Sequence, residues 1–301
     1  MKKKVLITGA SGTVGQALTD LLINKGHEVV HISRSEKFNA KVKTYKWDLQ
    51  KKKIDSNCLD GVDTIVHLAG AGIADKRWTK ERKEILIKSR TESIKLICDL
   101  MKNKKNQVKE IISASAAGYY SDRGNDLLTE TDLPSNDFLG NCCILWENAV
   151  DEGKTSDLRI VKFRTGVILD KDSGALEKIA APIKLGFGAS LGNGNQWISW
   201  IHLDDVAEMY LSGIENENLN GAYNMSSPYP ITNASLTKSI AQQLKKPLWL
   251  PNVPAFALKL ALGEMSAVVL GSTKMDTKKI EETGFRFKFP EIKSALKDIY
   301  A

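Results

Sequence analysis

A short apolar strand that runs into a glycine-rich turn and then into a helix constrains this chain more than any other feature. Residues 5–7 are Val-Leu-Ile, and residues 8–15 read Thr-Gly-Ala-Ser-Gly-Thr-Val-Gly. In this spacing the first glycine permits a tight turn, the second lets the backbone approach a pyrophosphate, and the third lets the helix pack on the strand. The helix N-terminus then offers N–H donors to the phosphates. The motif predicts a dinucleotide site formed by Gly9, Ser11, Gly12, Thr13, Val14 and Gly15.

Apolar runs and helix-period segments alternate through the first half of the chain. The pattern predicts strands at 5–7, 28–32, 42–47, 64–66, 110–112 and 159–163, and helices at 13–25, 80–102, 138–152 and 203–214. Such alternation is typical of a parallel sheet covered on both faces. Residues 171–197 are rich in small residues and are expected to be a mobile, substrate-facing segment. Prolines divide several predicted helices within 229–301.

These patterns predict an α/β fold, a Rossmann-type doubly wound parallel sheet with a smaller, mainly helical C-terminal substrate lobe. We expect residues 1–165 plus 196–228 to form the NADP-binding Rossmann domain. Residues 166–195 plus 229–301 are expected to form the substrate, or cap, lobe.

The end of the second predicted strand bears on the choice of cofactor. An acidic residue there favours the ribose 2′-hydroxyl of NAD, whereas this chain has Ser33 and Arg34. A guanidinium can bind a 2′-phosphate through paired, charge-assisted hydrogen bonds, so NADP(H) is the predicted cofactor. The alternative is an ordinary surface arginine in a loop. Four further positions follow neighbouring strands and are expected to line the cofactor path: Asp48 near the adenine, and the segment Leu68, Ala69 and Gly70.

Composition limits the other classes of function. The net charge is +7, from 43 basic and 36 acidic residues, but the lysines are scattered, so nucleic acid is not an expected partner. No apolar run is long enough to cross a bilayer, and we expect a cytoplasmic protein without membrane contact. The cysteines show neither paired metal-ligand spacing nor a histidine partner, so no metal site is expected; they are Cys58, Cys98, Cys142 and Cys143.

The chain resembles the extended short-chain dehydrogenase/reductase superfamily over its whole length. Four segments narrow the resemblance: 70–78 (Gly-Ala-Gly-Ile-Ala-Asp-Lys-Arg-Trp), 113–124 (Ser-Ala-Ser-Ala-Ala-Gly-Tyr-Tyr-Ser-Asp-Arg-Gly), 196–205 (Gln-Trp-Ile-Ser-Trp-Ile-His-Leu-Asp-Asp) and 254–265 (Pro-Ala-Phe-Ala-Leu-Lys-Leu-Ala-Leu-Gly-Glu-Met). Together they are similar to an atypical subgroup named as nucleoside-diphosphate-sugar epimerases. The last segment resembles that subgroup's C-terminal module of unknown function.

The resemblance implies a catalytic Tyr-x-x-x-Lys pair and a nearby serine. The tyrosine moves a proton, and the lysine lowers the tyrosine pKa and binds the nicotinamide ribose. Ser115 matches the serine, but the pair falls where this chain has Phe138 and the cysteines at 142 and 143. Tyr119 is the remaining candidate proton carrier. Arg123 lies four residues after it, but on the wrong element for a substitute pair.

The resemblance also implies a substrate pocket. Trp78 is expected either to stack on substrate or to pack as part of a lid, and His202 either to brace its turn or to touch a substrate phosphate. Tyr120 either packs or contacts substrate. The candidate pocket residues are Arg77, Trp78, Tyr120, Arg164 and His202.

Two function hypotheses remain open. The first is an NADP(H)-dependent oxidoreductase or epimerase that acts on a small molecule, either a carbonyl compound or a nucleotide sugar. The second is a non-catalytic NADP(H)-binding redox sensor or scaffold, which explains the missing pair directly. The resemblance further implies a homodimer formed through the predicted helices at 80–102 and 138–152.

Overall fold

A computed structural model describes residues 1–35, 42–172 and 174–301. Its strands, in chain order, are β1 (Lys4–Thr8), β2 (Glu28–Ser33), β3 (Thr44–Asp48), β4 (Lys53–Ile54), β5 (Thr64–His67), β6 (Glu110–Ala116), β7 (Leu127–Leu128), β8 (Arg159–Thr165), β9 (Val167–Leu169), β10 (Trp197–Ile198), β11 (Trp200–His202), β12 (Gly221–Met225), β13 (Ile231–Thr232) and β14 (Lys274–Met275). Its α-helices are α1 (Thr13–Asn24), α2 (Lys80–Asn103), α3 (Phe138–Asp151), α4 (Gly174–Lys184), α5 (Leu203–Glu215), α6 (Asn233–Gln243), α7 (Ala255–Leu262), α8 (Ala267–Leu270), α9 (Lys278–Glu282) and α10 (Ile292–Ile299).

Eight strands form one sheet in the order β12-β8-β6-β5-β1-β2-β3-β4. All neighbouring pairs are parallel except β3 and β4, which are antiparallel. The chain moves outward from β1 to β2 and β3, and then returns to place β5 on the other side of β1. This reversal opens a crevice at the carboxyl ends of β1 and β5, where open α/β sheets bind their ligands. The predicted Rossmann-type fold class is confirmed.

The central strands are apolar on both faces, because helices cover the sheet on each side. Val5 and Ile7 of β1 pack in one core cluster with Leu18 and Leu22 of α1. Leu6, between them in the chain, faces the opposite side and packs in a second cluster with residues of α2 and α3. This alternation is the period of two that a strand imposes on its side chains.

The predicted helices agree with α1, α2, α3 and α5 to within a residue or two. The segment 171–197, expected to be mobile and substrate-facing, contains a helix that was not predicted, because residues 174–184 form α4, with Pro182 in its last turn. Ser173, within that segment, lies outside the described residues. The seventh parallel strand, β12, was not predicted.

A third apolar cluster, which includes Leu169 of β9 and Trp200 of β11, and one buried carboxylate join the C-terminal part to the rest of the chain. Leu236 and Ile240 of α6 pack with Leu296 and Ile299 of α10. Asp205, in the first turn of α5, accepts hydrogen bonds from the backbone N–H groups of 288 and 289, at 2.7 and 3.0 Å. The division of the chain into two domains at the boundaries given above remains a prediction.

None of the helices in the described ranges is both long enough and apolar enough to span a membrane. The pair of helices expected at a dimer interface, α2 and α3, pack against each other. Their role in dimerisation remains a prediction.

Asp205 offers a test of how the C-terminal segment is attached. We expect Asp205→Ala to lower the free energy of unfolding by about 3 kcal/mol, because it leaves two backbone donors without their charged acceptor. Urea denaturation measures this change. Asp204→Ala is the matched control: this neighbouring carboxylate is half exposed and pairs with Lys288 at 2.8 Å, so its loss should cost less than about 1 kcal/mol. Equal effects of the two substitutions would contradict the assignment.

Candidate functional site

The glycine loop between β1 and α1 brings three backbone segments together more closely than side chains allow. A Cβ on Gly9, whose φ is +67°, would lie 2.8 Å from the carbonyl carbon of Leu68, and one on Gly15 would lie 2.5 Å from the Cα of Ala10. Gly12 differs, since its nearest neighbour would be the Gly9 carbonyl oxygen at 3.4 Å, and it is exposed. The first and third glycines therefore serve packing, while the second leaves open space above the loop.

That open space lies at the N-terminus of α1. Gly12 is the N-cap residue and has no side chain to cap the helix. Ser11 is exposed, and Thr13 and Val14 are half-buried. An anionic group at this position is stabilised by the backbone donors and by the helix dipole. The loop fits the pyrophosphate of a dinucleotide.

The Thr8 hydroxyl fixes this loop to the loop that follows β5. Thr8 is fully buried, and its Oγ1 accepts hydrogen bonds from the backbone N–H groups of Leu68 and Ala69, both at 3.0 Å. The two loops on either side of the crevice are thus held together. This role of Thr8 was not predicted, although a polar residue at the end of an apolar strand was a signal for it.

The β2 and β3 side of the crevice holds the residues predicted to contact the adenosine half. Arg34 follows β2, is exposed, and makes no hydrogen bond or ion pair with the described residues. The Ser33 hydroxyl accepts a hydrogen bond from the N–H of Ser35 at 3.3 Å. Asp48 ends β3, and its Oδ1 accepts the Lys51 N–H at 3.1 Å. The side chain of Arg34 remains available for an anionic ligand.

The β5 and β6 side of the crevice holds Gly70 and Ser115. Gly70 is exposed, after the buried Ala69. Ser115, next to last in β6, is buried and donates a hydrogen bond to Oε1 of Glu147 at 2.7 Å. Since β2, β1, β5 and β6 are consecutive in the sheet, Arg34 and Ser115 lie three strand spacings apart, about 14 Å. The predicted adenosine-binding residues and the predicted catalytic serine therefore lie at opposite ends of one crevice.

Arg164 and Glu147 form a buried ion pair beside Ser115. Arg164 donates to both carboxylate oxygens of Glu147, from Nε at 2.9 Å and from Nη2 at 3.0 Å. Its Nη1 donates to the Tyr120 hydroxyl at 3.0 Å, which in turn donates to Oδ1 of Asn224 at 2.7 Å. Burial alone would lower the pKa of Arg164, but its bonds to Glu147 raise the pKa instead. Burial raises the pKa of Tyr120, so both side chains keep their usual charge at neutral pH.

This network contains two residues that the sequence analysis missed. Glu147 stands on the buried face of α3, and Asn224 on β12 is fully buried. An acidic residue within the apolar run of residues 142–150 was the available signal. Arg164 and Tyr120 are held inside the protein by these partners, and their contact with a substrate remains a prediction.

Tyr119 lies in the short turn that follows β6 and packs against this network. The guanidinium carbon of Arg164 is 3.4 Å from the centroid of the Tyr119 ring, and the rings of Tyr119 and Tyr120 meet edge to face. The Tyr119 hydroxyl has no hydrogen-bond partner in the part of the chain that the structure describes. Arg123 does not pair with it; its Nη2 donates to the Leu133 carbonyl. The Tyr119 ring is thus fixed while its hydroxyl stays available.

Phe138, at the place expected for the catalytic tyrosine, packs against Trp78. Their ring centroids are 4.8 Å apart, and the Trp78 Nε1–H donates to the carbonyl oxygen of Ile73 at 2.9 Å. Trp78 is buried, which fits the packing interpretation better than an open stacking platform. The neighbouring Arg77 is exposed and lies against Gly263 of the C-terminal part.

Cys142 and Cys143 do not replace the missing lysine. Both are buried, and burial raises the pKa of each thiol. They are therefore neutral at physiological pH and offer no positive charge.

His202 braces the start of α5. Its Nδ1 accepts the N–H of Asp204 at 3.1 Å, and its Nε2 lies 3.4 Å from the carboxylate of Asp298. Within the described ranges, these three residues are the one group of His, Cys, Asp or Glu side chains with metal-like spacing. Lys288 already pairs with the carboxylate of Asp204 at 2.8 Å. This geometry favours the structural interpretation of His202.

The buried ion pair predicts a specific stability profile. Glu147→Gln should lower the free energy of unfolding by about 3–5 kcal/mol, because it leaves the Arg164 charge buried without a counterion. Adding Arg164→Met should recover part of that loss. Asp151→Asn removes a half-exposed partner of Lys162 and should cost less than about 1 kcal/mol. Chemical denaturation of these three variants and the wild type tests this, and an unchanged midpoint for Glu147→Gln would contradict it.

Two family models match the sequence in succession. Residues 5–140 match the NAD dependent epimerase/dehydratase family, and residues 253–299 match a domain of unknown function, DUF1731. The first range contains the glycine loop, Arg34 and Ser115, and the second contains α7, α8, α9 and α10.

Two of three similar proteins span the same length as this chain, and the third is longer. Epimerase family protein SAR0825 of Staphylococcus aureus is 34% identical over 99% of both chains. The crystal structure of human epimerase family protein SDR39U1 (isoform 2) with NADPH is 27% identical, covers 99% of both chains and has a TM-score of 0.89. The nucleoside-diphosphate sugar epimerase from Corynebacterium glutamicum is 31% identical, with a TM-score of 0.80, and its match covers 98% of this chain and 57% of its own. The full-length match to SAR0825 and the family match over the cofactor loop lead to one conclusion: this chain belongs to the NAD-dependent epimerase/dehydratase family.

Proposed function

We propose that this protein is an NADP(H)-dependent oxidoreductase that acts on a small carbonyl compound or a nucleotide sugar. The observation that carries the proposal is an exposed Arg34, without a partner among the described residues, at the end of β2 beside a glycine loop open at Gly12. A guanidinium in that position recognises a 2′-phosphate. The human relative crystallised with NADPH supports this cofactor, and the C. glutamicum relative supports a sugar substrate.

The cofactor, when bound, exchanges a hydride with a substrate carbon. In this proposal residues 9–15 hold the pyrophosphate, Arg34 and Ser33 hold the 2′-phosphate, and Asp48 lies near the adenine. The segment of Leu68, Ala69 and Gly70 lines the path toward the reactive end. The substrate lies beyond it, near Arg77 and the 119–120 tyrosines.

Proton transfer is assigned to Tyr119, and Ser115 is assigned the role of orienting the substrate oxygen. The Ser115 hydroxyl donates its hydrogen to Glu147, so toward a substrate hydroxyl it acts as a hydrogen-bond acceptor. Tyr119 then supplies or removes the proton on the substrate oxygen. In this arrangement the Tyr119 hydroxyl replaces the catalytic tyrosine hydroxyl that is missing at Phe138.

The alternative is a non-catalytic NADP(H)-binding protein. The packing of Phe138 against Trp78, together with the neutral Cys142 and Cys143, favours it. A search for turnover decides between the two functions.

Arg34 provides the test of cofactor preference. We expect wild-type protein to bind NADPH more tightly than NADH, and Arg34→Ala to weaken NADPH binding by about tenfold to a hundredfold, because it removes the charge-assisted bonds to the 2′-phosphate. NADH affinity should stay unchanged. Fluorescence titration measures both constants, with Arg286→Ala, another exposed arginine, as the control. Equal affinity of the wild type for NADPH and NADH would refute the preference.

Ser115 and Tyr119 provide the test of catalysis. With any carbonyl substrate that is turned over, we expect Ser115→Ala and Tyr119→Phe each to lower kcat by about a hundredfold or more, the usual size of a general acid–base contribution. NADPH affinity should change by less than about threefold, since neither hydroxyl holds the phosphates. Unchanged kcat in both variants would remove these residues from the mechanism.

A further inference from the structure

Arg90 of α2 reaches the loop that follows β5. A Cβ on Gly70 would lie 3.3 Å from both Cγ and Cζ of Arg90, so the arginine side chain runs along the backbone of Gly70. The residue before it, Ser89, accepts the backbone N–H of Ala71 at 3.0 Å. The β5 loop is therefore attached to α2 at the point where Arg90 contacts Gly70.

The far side of Arg90 faces α3. Its guanidinium carbon lies 5.0 Å from the ring centroid of Trp146, one turn beyond Cys142. The Arg90 charge acts on the thiols of both Cys142 and Cys143, and it lowers their pKa against the larger effect of burial. A positive charge carried by α2 thus reaches the part of α3 where the resemblance places a lysine.

The charge of Arg90 has no counterion among the described residues. Its Nη1 donates to the carbonyl oxygen of Leu86 at 2.8 Å, and in the described part of the chain no carboxylate pairs with it. Burial lowers the pKa of Arg90. The neighbouring His67 adds no charge, because burial, and then the charge of Arg90, lower its pKa to about 3.

A guanidinium has five N–H donors, and a partly buried one without a carboxylate is costly unless a ligand completes it. The contrast with Arg164 is direct, since that arginine is bonded to both oxygens of Glu147. Arg90 stands on the β5 side of the crevice, opposite Arg34.

We propose that Arg90 binds the nicotinamide-side half of the dinucleotide, through its ribose hydroxyls and adjoining phosphate, and supplies the fixed positive charge that the missing lysine would provide. The inference rests on the proposed NADP(H) binding. Arg90 of α2 would then make the cofactor contact that α3 cannot make, because α3 has Cys142 and Cys143 where the lysine is expected.

Comparing the binding of NADPH with that of a ligand that contains only its adenosine half tests whether Arg90 contacts the nicotinamide half. Adenosine 2′,5′-bisphosphate contains the adenosine and 2′-phosphate but lacks the nicotinamide half. We expect Arg90→Gln to weaken NADPH binding by about tenfold or more and to leave bisphosphate affinity within about twofold. Calorimetric titration measures both. Arg34→Ala should weaken both ligands. Lys88→Gln, an exposed change on the same helix, should weaken neither.

Arg90→Lys keeps the charge but loses the planar fork, so NADPH affinity should fall by about threefold to tenfold, with bisphosphate affinity again unchanged. This variant decides the question if Arg90→Gln does not fold. Wild-type NADPH affinity in the Arg90 variants, or an equal loss for both ligands, would overturn the proposal. Failure of wild-type protein to bind NADPH would instead refute the proposed function.

Discussion

The close approach of the Gly9 backbone to the Leu68 backbone is the contact on which the candidate site depends. No side chain fits at residue 9, and Thr8 fastens the same two segments with hydrogen bonds to the N–H groups of Leu68 and Ala69. This contact lies at the point where the strand order reverses between β1 and β5. It holds together the two loops that border the crevice, with Arg34 on one side of them and Ser115 on the other.

Three arginines near the crevice differ in how their charges are satisfied. Arg164 is fully paired with Glu147, and removing its partner is expected to destabilise the fold rather than to alter binding. Arg34 and Arg90 have no carboxylate partner among the described residues, and they lie on opposite sides of β1. In the proposed binding mode they contact opposite halves of the dinucleotide, with the pyrophosphate over the N-terminus of α1. Two guanidiniums without carboxylate partners among the described residues are a physical reason for an anionic ligand to bind here.

The sequence predicted the parts of the fold that repeat a strong local pattern. Strand β1, the glycine loop and α1 were recognisable because an apolar run, a turn and a 3.6-residue period follow in order. Strand β12 was missed because its sequence, Gly-Ala-Tyr-Asn-Met, neither alternates nor forms an apolar run. Helix α4 was missed because small residues and Pro182 are typical of loops. Arg90 could not be singled out from the sequence, because its burial depends on Gly70 and Trp146, which the fold brings to it from two other elements.

A crystal structure of the protein with bound NADPH would show where the cofactor lies in the crevice and in which direction it runs. We expect the pyrophosphate over Gly12, the 2′-phosphate within hydrogen-bond distance of Arg34, about 3 Å, and the nicotinamide ribose on the side of Gly70 and Arg90, with the ring near Ser115. A cofactor bound in the reverse direction, or bound elsewhere on the protein, would contradict this expectation.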